Sequence, residues 1–279
     1  EIYIFEMNYS ISKEITILTV NYNTSDFVNL MLFAFERLTK NTYKVLICDN
    51  FYNKKEALRI RAVANKYKNV EVIYRKQTQS GSVGHAEAMD ILVSKVDTPY
   101  FVTMDADCTF LLKDWDEILI SKIDGKIKVV GTALPESRIN YKPMDFPLVF
   151  AVLYETETFN KLKPSFMPGD LKMDKTRDTG WQIRELYLKN GFKGLVFKGV
   201  NTRLVKHTPF ANALCAVYYC DNQLIASHFS RGSGAGLAKY NNRWYFNIPL
   251  ISIVFKKVYG LKEKKYWINK SIYIINQVN

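Results

Sequence analysis

Residues 98–107 read T-P-Y-F-V-T-M-D-A-D. Thr98-Pro99 is a helix breaker. Tyr100–Asp105 has the β-branched and aromatic content of a buried strand. Two carboxylates then stand two positions apart, at Asp105 and Asp107. Upstream the same rhythm repeats. Gly84–Val96 reads as a helix, Val70–Tyr74 as a strand, Lys54–Lys66 as a helix rich in Ala, Leu, Lys and Arg, and Lys44–Asp49 as a strand. Phe27–Thr39 reads as a helix behind the N-cap types Thr24, Ser25 and Asp26, and Glu14–Val20 as the first strand. Strands and helices alternating at this spacing give an α/β fold, a mostly parallel sheet flanked by helices. Such sheets bind ligands beyond the carboxyl ends of their strands. Those ends carry Asn21-Tyr22-Asn23, Asp49-Asn50 and Asp105-Ala106-Asp107, which one shared site would collect.

Downstream the pattern is less regular. Lys128–Ala133, Leu195–Val200 and Cys215–Tyr219 read as strands, and Asn140–Pro147 as a loop. Asp178–Asn190 reads as a helix closed by Gly191. Ser230–Gly236 reads as a flexible loop, and Trp244–Gln277 as a basic, aromatic tail. Neither a repeat nor a low-complexity linker divides the chain. We expect one domain over residues 1–240, with a nucleotide-binding half at 14–110 and a smaller second half at 111–240, followed by a tail at 241–279.

The 279 residues suffice for a sizeable core. With 48% hydrophobic and 24% charged residues, disorder is a poor reading of the whole chain. A formal charge of +12 favours anionic partners without choosing among nucleic acid, lipid headgroups and phosphorylated substrates. Cys48, Cys108, Cys215 and Cys220 lack the spacing of a zinc site and are too sparse for a disulfide scaffold, so buried thiols are expected. Glu1–Glu6 does not read as a secretory signal. The apolar stretches Phe146–Tyr154 and Trp244–Phe255 fall short of the ~20 residues that span a bilayer. A cytoplasmic location is expected.

Four constellations could carry chemistry. Asp105 and Asp107, past a buried strand, suit a hard divalent cation bridging the oxygens of a diphosphate. His228 could add a neutral imidazole to it. Arg231 and the backbone amides around Ser233, in H-F-S-R-G-S-G (228–234), could hold phosphate oxygens. Asp178, in D-T-G-W, is either a helix N-cap or a general base, with Asp170 and Asp174 as rival bases. Trp181 offers an apolar face to a sugar ring, and Arg184 shares its helical face. At the strand ends, Asp49 could accept from a ring N–H of a base, Asn21, Tyr22 and Asn23 could line base or ribose, and Gly84, after Ser80-Gly81-Ser82, permits close backbone approach.

In order, V-N-Y-N, D-N, G-H-A-E-A-M, T-M-D-A-D, D-T-G-W…R…G-F and H-F-S-R-G-S resemble the GT-A-fold glycosyltransferases of family 2, over roughly residues 14–235. The resemblance implies an inverting transfer from a nucleotide-diphosphate sugar to an acceptor hydroxyl, in polysaccharide or glycoconjugate synthesis, with Mn2+ or Mg2+. It implies Asp107 as the main metal ligand, Asp105 nearer the ribose and metal waters, His228 completing the metal site, Asp178 as the base, and Asp49 and Asn21 at the nucleotide base. Residues 111–240 become the acceptor half. The acidic pair usual before the helix is Arg177-Asp178 here, which leaves the base open among Asp178, Asp174 and Asp170. A Gln/Ser-rich stretch replaces the usual asparagine ahead of Gly84, so donor preference does not carry over.

The tail interleaves Lys256, Lys257, Lys262, Lys264, Lys265 and Lys270 with Trp244, Tyr245, Phe255, Tyr259, Tyr266, Trp267 and Tyr273. It either lies on an anionic inner-membrane face, which suits a lipid-linked rather than a free saccharide acceptor, or packs as a helix with a solvated lysine face. A sugar-phosphate nucleotidyltransferase would need a Gly-rich, Arg-containing loop after the first strand, and Asn21–Thr24 offers none. A nucleic-acid binder would show a recognition motif, and none is evident, so nucleic acid is not an expected partner.

Overall fold

The computed structural model describes residues 13–79, 81–135, 143–174, 176–205, 207–234 and 251–278. Ser80, residues 140–142 of the expected loop, residues 235–236 of the Gly/Ser loop, and Trp244 and Tyr245 of the tail lie outside the described residues, as do the side chains of Phe255 and Lys256.

Strands β1 (Ile15–Asn21), β2 (Tyr43–Asp49), β3 (Val70–Tyr74) and β4 (Tyr100–Asp105) alternate with helices α1 (Ser25–Leu38), α2 (Lys54–Ala64) and α3 (Gly81–Val93). The chain then forms β5 (Cys108–Phe110), α4 (Trp115–Ser121), β6 (Ile127–Gly131), β7 (Ala151–Glu155), α5 (Thr156–Leu162), α6 (Trp181–Lys189), β8 (Lys193–Val196), β9 (Lys198–Asn201), β10 (Ala216–Cys220), β11 (Gln223–His228) and α7 (Ile251–Gln277). A seven-stranded sheet runs β3-β2-β1-β4-β7-β6-β8, parallel except for β7, which opposes both neighbours. A four-stranded antiparallel sheet runs β5-β11-β10-β9. The α/β reading therefore holds.

β1 shows why the large sheet is buried on both faces. Ile15 and Ile17 join an apolar cluster with α1, α4, α7 and the small sheet. Leu18 and Val20 join a second cluster with α3, α5 and α6. A strand covered twice has no polar alternation, which is why β1, β2 and β4 read as apolar runs, whereas β3 at the sheet edge is partly exposed. All four cysteines are buried, as expected of thiols in a core.

Three expectations need correction. Helix α3 begins at Gly81, one turn before Gly84, because Gly81 takes φ +63° and turns the chain into the helix. The single strand expected over Leu195–Val200 is two strands, β8 and β9, which join different sheets on either side of buried Phe197. The α6 helix begins at Trp181, not Asp178, because Gly180 at φ 76° interrupts the chain before it.

The tail helix α7 packs against the body. Trp267 is buried against Phe27 and Phe229, at ring centroid distances of 5.8 Å each, and its Nε1 donates to Ser227 Oγ at 2.8 Å. Lys264 Nζ donates to Asp26 Oδ2 at 2.9 Å and lies over the Phe27 ring. The opposite face exposes Val254, Val258 and Leu261 among Lys257, Lys262 and Lys265. No helix among the described residues is long and apolar enough to cross a membrane.

Candidate active site

The parallel register sets Asn21 beside Asp49 and Val20 beside Asp105, so β1, β2 and β4 deliver their polar ends to one edge of the sheet. Past β4 the chain turns sharply into β5, which pairs with β11, and Cys108 lies opposite His228. That pairing brings residues 121 positions apart together. His228 Nε2 lies 3.2 Å from Asp107 Oδ1 and 3.6 Å from Asp105 Oδ2. One ligand atom from each of the three lies within 4.8 Å of the others, which makes them a candidate divalent-cation site. Two carboxylate oxygens and an imidazole suit Mn2+ or Mg2+ better than a soft thiophilic ion. Asp107 and His228 are buried, and the His228 ring tilts against Phe150 at 4.8 Å, which limits its freedom.

Asp107 is held from several sides. Its Oδ2 accepts from the Gly232 N–H at 2.7 Å, and its own carbonyl accepts from Phe229 N–H at 2.9 Å. Gly232 is required there. A Cβ would stand 2.7 Å from Asp107 Cβ, 2.9 Å from Asp107 Oδ2 and 2.9 Å from Phe27 Cε2. Ser230 and Arg231 both take left-handed φ, 64° and 60°, before a short 3-10 turn over Gly232–Gly234. Two consecutive non-glycine residues in this region cost conformational energy and aim the Gly232 N–H at the carboxylate. Asn23, itself at φ 59°, donates its Nδ2 to Ser233 O at 3.1 Å and ties the loop after β1 to the loop after β11.

A cleft of about 320 Å³ opens over this edge, lined among others by Tyr22, Asn50, Asp105, Asp107, Arg231 and Ser233. Below its rim, Asn21 is buried with its amide committed. Nδ2 donates to Asp49 Oδ1 at 3.0 Å, and Oδ1 accepts from Thr24 N and Oγ1 at 3.2 and 2.9 Å. Asp49 is 0% exposed, and its Oδ2 has no hydrogen-bond partner. Burial pushes its carboxyl above the usual range, with the hydrogen bonds from Asn21 and Phe51 opposing. Tyr22 meets Tyr52 edge-to-face at 5.1 Å, both rings partly exposed. At Gly84 the close approach is internal. A Cβ there would lie 2.2 Å from the Gln79 carbonyl oxygen and 2.8 Å from Gln77 Cδ.

A second cleft, about 270 Å³, adjoins the first and is lined by Gly81, Ser82, His85, Asp105, Leu148, Val149, Phe150, Asp178 and Thr179. Of the three candidate bases only Asp178 lines it. Asp174 accepts from Thr176 Oγ1 at 2.6 Å and Thr176 N at 2.8 Å, and these hydrogen bonds, with the charge of Arg177 at 3.4 Å, hold its carboxyl below the usual range. Asp170 is exposed and accepts from Lys172 N at 2.9 Å. Asp178 Oδ1 accepts from Thr179 N at 2.8 Å. Trp181 and Arg184 line a further pocket that shares Leu148, Val149, Asp178 and Thr179 with this cleft. The Trp181 ring lies under the Arg177 guanidinium at 4.7 Å, and Arg184 grips Asp145 with two hydrogen bonds of 2.8 and 2.5 Å.

The sequence pointed to Asp105, Asp107, His228 and Arg231, and the fold gathers them at one edge. It did not single out His85, whose Nε2 lies 3.8 Å from Asp105 Oδ1, or Tyr52. Both lie next to residues that were singled out, Gly84 and Asp49-Asn50, and only folding shows which way their rings face.

The description of glycosyl transferase family 2 matches residues 16–183, more than half of the chain. No protein of curated function matches the sequence. Among solved structures, the mannosyltransferase PcManGT from Pyrobaculum calidifontis, in complex with GDP-Man and Mn2+, superposes with a TM-score of 0.51 at 13% identity, over 65% of this chain and 54% of that one. TarS of S. aureus, residues 1–349, gives a TM-score of 0.48 at 14% identity, over 65% and 58%. The chain thus spans somewhat more than half the length of these structures, and the first of them supports the shared fold.

Proposed function

Because the chain belongs to glycosyl transferase family 2, we propose that it is a metal-dependent, inverting glycosyltransferase that moves a sugar from a nucleotide-diphosphate donor to an acceptor hydroxyl. The observation that carries the reading is the convergence of Asp105, Asp107 and His228 within 4.8 Å at the carboxyl edge of the parallel sheet. PcManGT was solved with a nucleotide sugar and Mn2+, which agrees with this assignment.

In this reading Asp105, Asp107 and His228 would hold a divalent cation, with Asp107 the main ligand and Asp105 nearer the ribose. A cation bound there would neutralise the diphosphate and the charge on the departing oxygen. Arg231 adds a guanidinium to the phosphate oxygens. The nucleotide base sits above β1 and β2. Tyr22 and Tyr52 frame it, Asn23 and Ser233 close the loop over it, and Asp49, oriented by Asn21, accepts a ring N–H after a small opening of its cover. Gly84 packs the α3 loop so that Gly81 and His85 face the cleft.

Asp178 takes the proton of the acceptor hydroxyl as that oxygen bonds to the anomeric carbon. The bond from that carbon to the β-phosphate oxygen breaks, and its electron pair leaves with the nucleoside diphosphate. Attack opposite the leaving group inverts the centre. Trp181 and Arg184 bind the acceptor beyond Asp178. Residues 14–110 serve the donor and residues 111–240 the acceptor, a saccharide or lipid-linked sugar of a polysaccharide or glycoconjugate. The outer face of α7, with Val254, Val258 and Leu261 exposed by 62, 57 and 49% among lysines, rests on an anionic inner-membrane surface from the cytoplasmic side.

Thermal-shift screening against UDP, GDP and TDP, with and without Mn2+, tests the reading. A bound ligand at 100 times its Kd stabilises by about 2.7 kcal/mol. One nucleotide should raise Tm, and only with the cation. No shift with any of them contradicts the proposal.

A further inference from the structure

We infer that His85 is a specificity-determining residue that hydrogen-bonds the transferred sugar. The inference rests on the proposed donor site and extends it to a residue outside the cation and base assignments.

The nucleotide-side cleft and the cleft that holds Asp178 share three lining residues, Gly81, His85 and Asp105. These form the neck between them. With the diphosphate at the Asp105–Asp107–His228 edge and the acceptor hydroxyl at Asp178, the anomeric carbon and its ring must occupy this neck. Gly81 brings no side chain, and the Asp105 carboxylate belongs to the candidate cation site. Among the described residues at the neck, His85 is therefore the one whose side chain can read sugar hydroxyls. Its position is fixed by the first turn of α3, anchored through buried Gly84. The Gly84 carbonyl accepts from Asn50 Nδ2 and Arg75 Nη1 at 3.0 Å each, and Arg75 also pairs with Glu87. The His85 side chain is 29% exposed, enough to meet a ligand, and its Nε2 stands 3.8 Å from Asp105 Oδ1, whereas His228 approaches the other oxygen, Oδ2. The ring nitrogens of an imidazole can hydrogen-bond a sugar hydroxyl. A site that hydrogen-bonds a hydroxyl rejects the epimer that misplaces it far more strongly than an apolar site would.

The test compares wild type with His85→Ala and His85→Gln. Calorimetry with UDP or GDP and Mn2+ measures nucleotide binding. Hydrolysis of the epimer pairs UDP-glucose and UDP-galactose, UDP-N-acetylglucosamine and UDP-N-acetylgalactosamine, and GDP-mannose and GDP-glucose measures use of the sugar. In His85→Ala, diphosphate affinity should stay within about twofold, the preferred nucleotide sugar should lose about tenfold or more in kcat/KM, and the preference over its epimer should shrink. His85→Gln, which keeps a donor and an acceptor, should recover part of the loss. Diphosphate binding also reports that each variant is folded, and if His85→Ala does not fold, His85→Gln must by itself alter the epimer preference. Unchanged kcat/KM and preference, or an equal loss of diphosphate and nucleotide-sugar affinity, overturns the inference. If wild type binds no nucleoside diphosphate, the donor-site reading fails instead.

Discussion

The imidazole of His228 reaches the carboxylate of Asp107 at 3.2 Å, across 121 residues of chain, because β11 pairs with the short β5 that follows the two aspartates. On the other side, the Gly232 N–H holds the second oxygen of Asp107 at 2.7 Å. A substitution at Asp107 should therefore separate chemistry from packing. Asp107→Asn keeps an acceptor for Gly232 and removes the charge. We predict that nucleotide-sugar turnover falls at least about 100-fold while Tm stays within a few degrees. Initial rates and a thermal melt check both halves.

Gly232→Ala tests the loop that positions that carboxylate. The added methyl meets Asp107 and Phe27 at 2.7–2.9 Å, so one of them must move. The expected cost is about 1–3 kcal/mol of stability, measured by denaturant unfolding, together with weaker Mn2+ binding. An unchanged midpoint would mean that the loop is looser than its contacts indicate.

Asp49 carries a burial cost that should appear in the pH dependence of stability. Its folded carboxyl titrates above its ordinary value, chiefly through desolvation. A group of that sign contributes stability below its unfolded pKa and loses the contribution as pH rises through the folded pKa. At pH 7 the wild type therefore bears the cost of a buried carboxylate that Asp49→Asn lacks. The variant should melt higher than wild type at pH 7, the gap should close on acidification into the carboxylate range, and nucleotide affinity should fall. Melts from pH 3.5 to 8 test the sign.

The first half of the chain was legible because β1, β2 and β4 are buried apolar runs and its helices carry breakers and caps. β3 and β4 fall on the residues that the pattern indicates, Val70–Tyr74 and Tyr100–Asp105. The second half was not, because its elements are short and change sheets. Leu195–Val200 reads as one strand, but the chain crosses from one sheet to the other at Phe197. β5 is three residues long, below what alternation can reveal. In the site, Asp105 and Asp107 stood out by their spacing past a buried strand and His228 by its Gly-rich basic loop, whereas His85 acquires meaning only from the two clefts that meet at its ring. The tail read equally well as a membrane segment or a packed helix. Trp267 shows the packing, and the opposite face leaves room for the other role.

Trp267→Ala measures how far α7 belongs to the body of the protein. The indole fills a site among Phe27, Phe210 and Phe229 and donates to Ser227. Its loss should cost about 3–5 kcal/mol in a single cooperative unfolding transition. A cost under about 1 kcal/mol would show that the helix adds little to the fold.

Asp178→Asn should leave nucleoside diphosphate affinity intact and lower sugar transfer by about 10²–10⁴-fold, whereas Asp170→Asn and Asp174→Asn should change it little. Transfer assays on the three variants, each beside a diphosphate binding curve, decide which carboxylate accepts the proton.

The most direct measurement is a Mn2+ titration followed by electron paramagnetic resonance, with saturating nucleoside diphosphate, on wild type and Asp107→Asn. The account predicts one Mn2+ site in wild type, with affinity weakened about 100-fold or more in the variant. Equal binding in the two proteins, or no Mn2+ site in wild type, would contradict it.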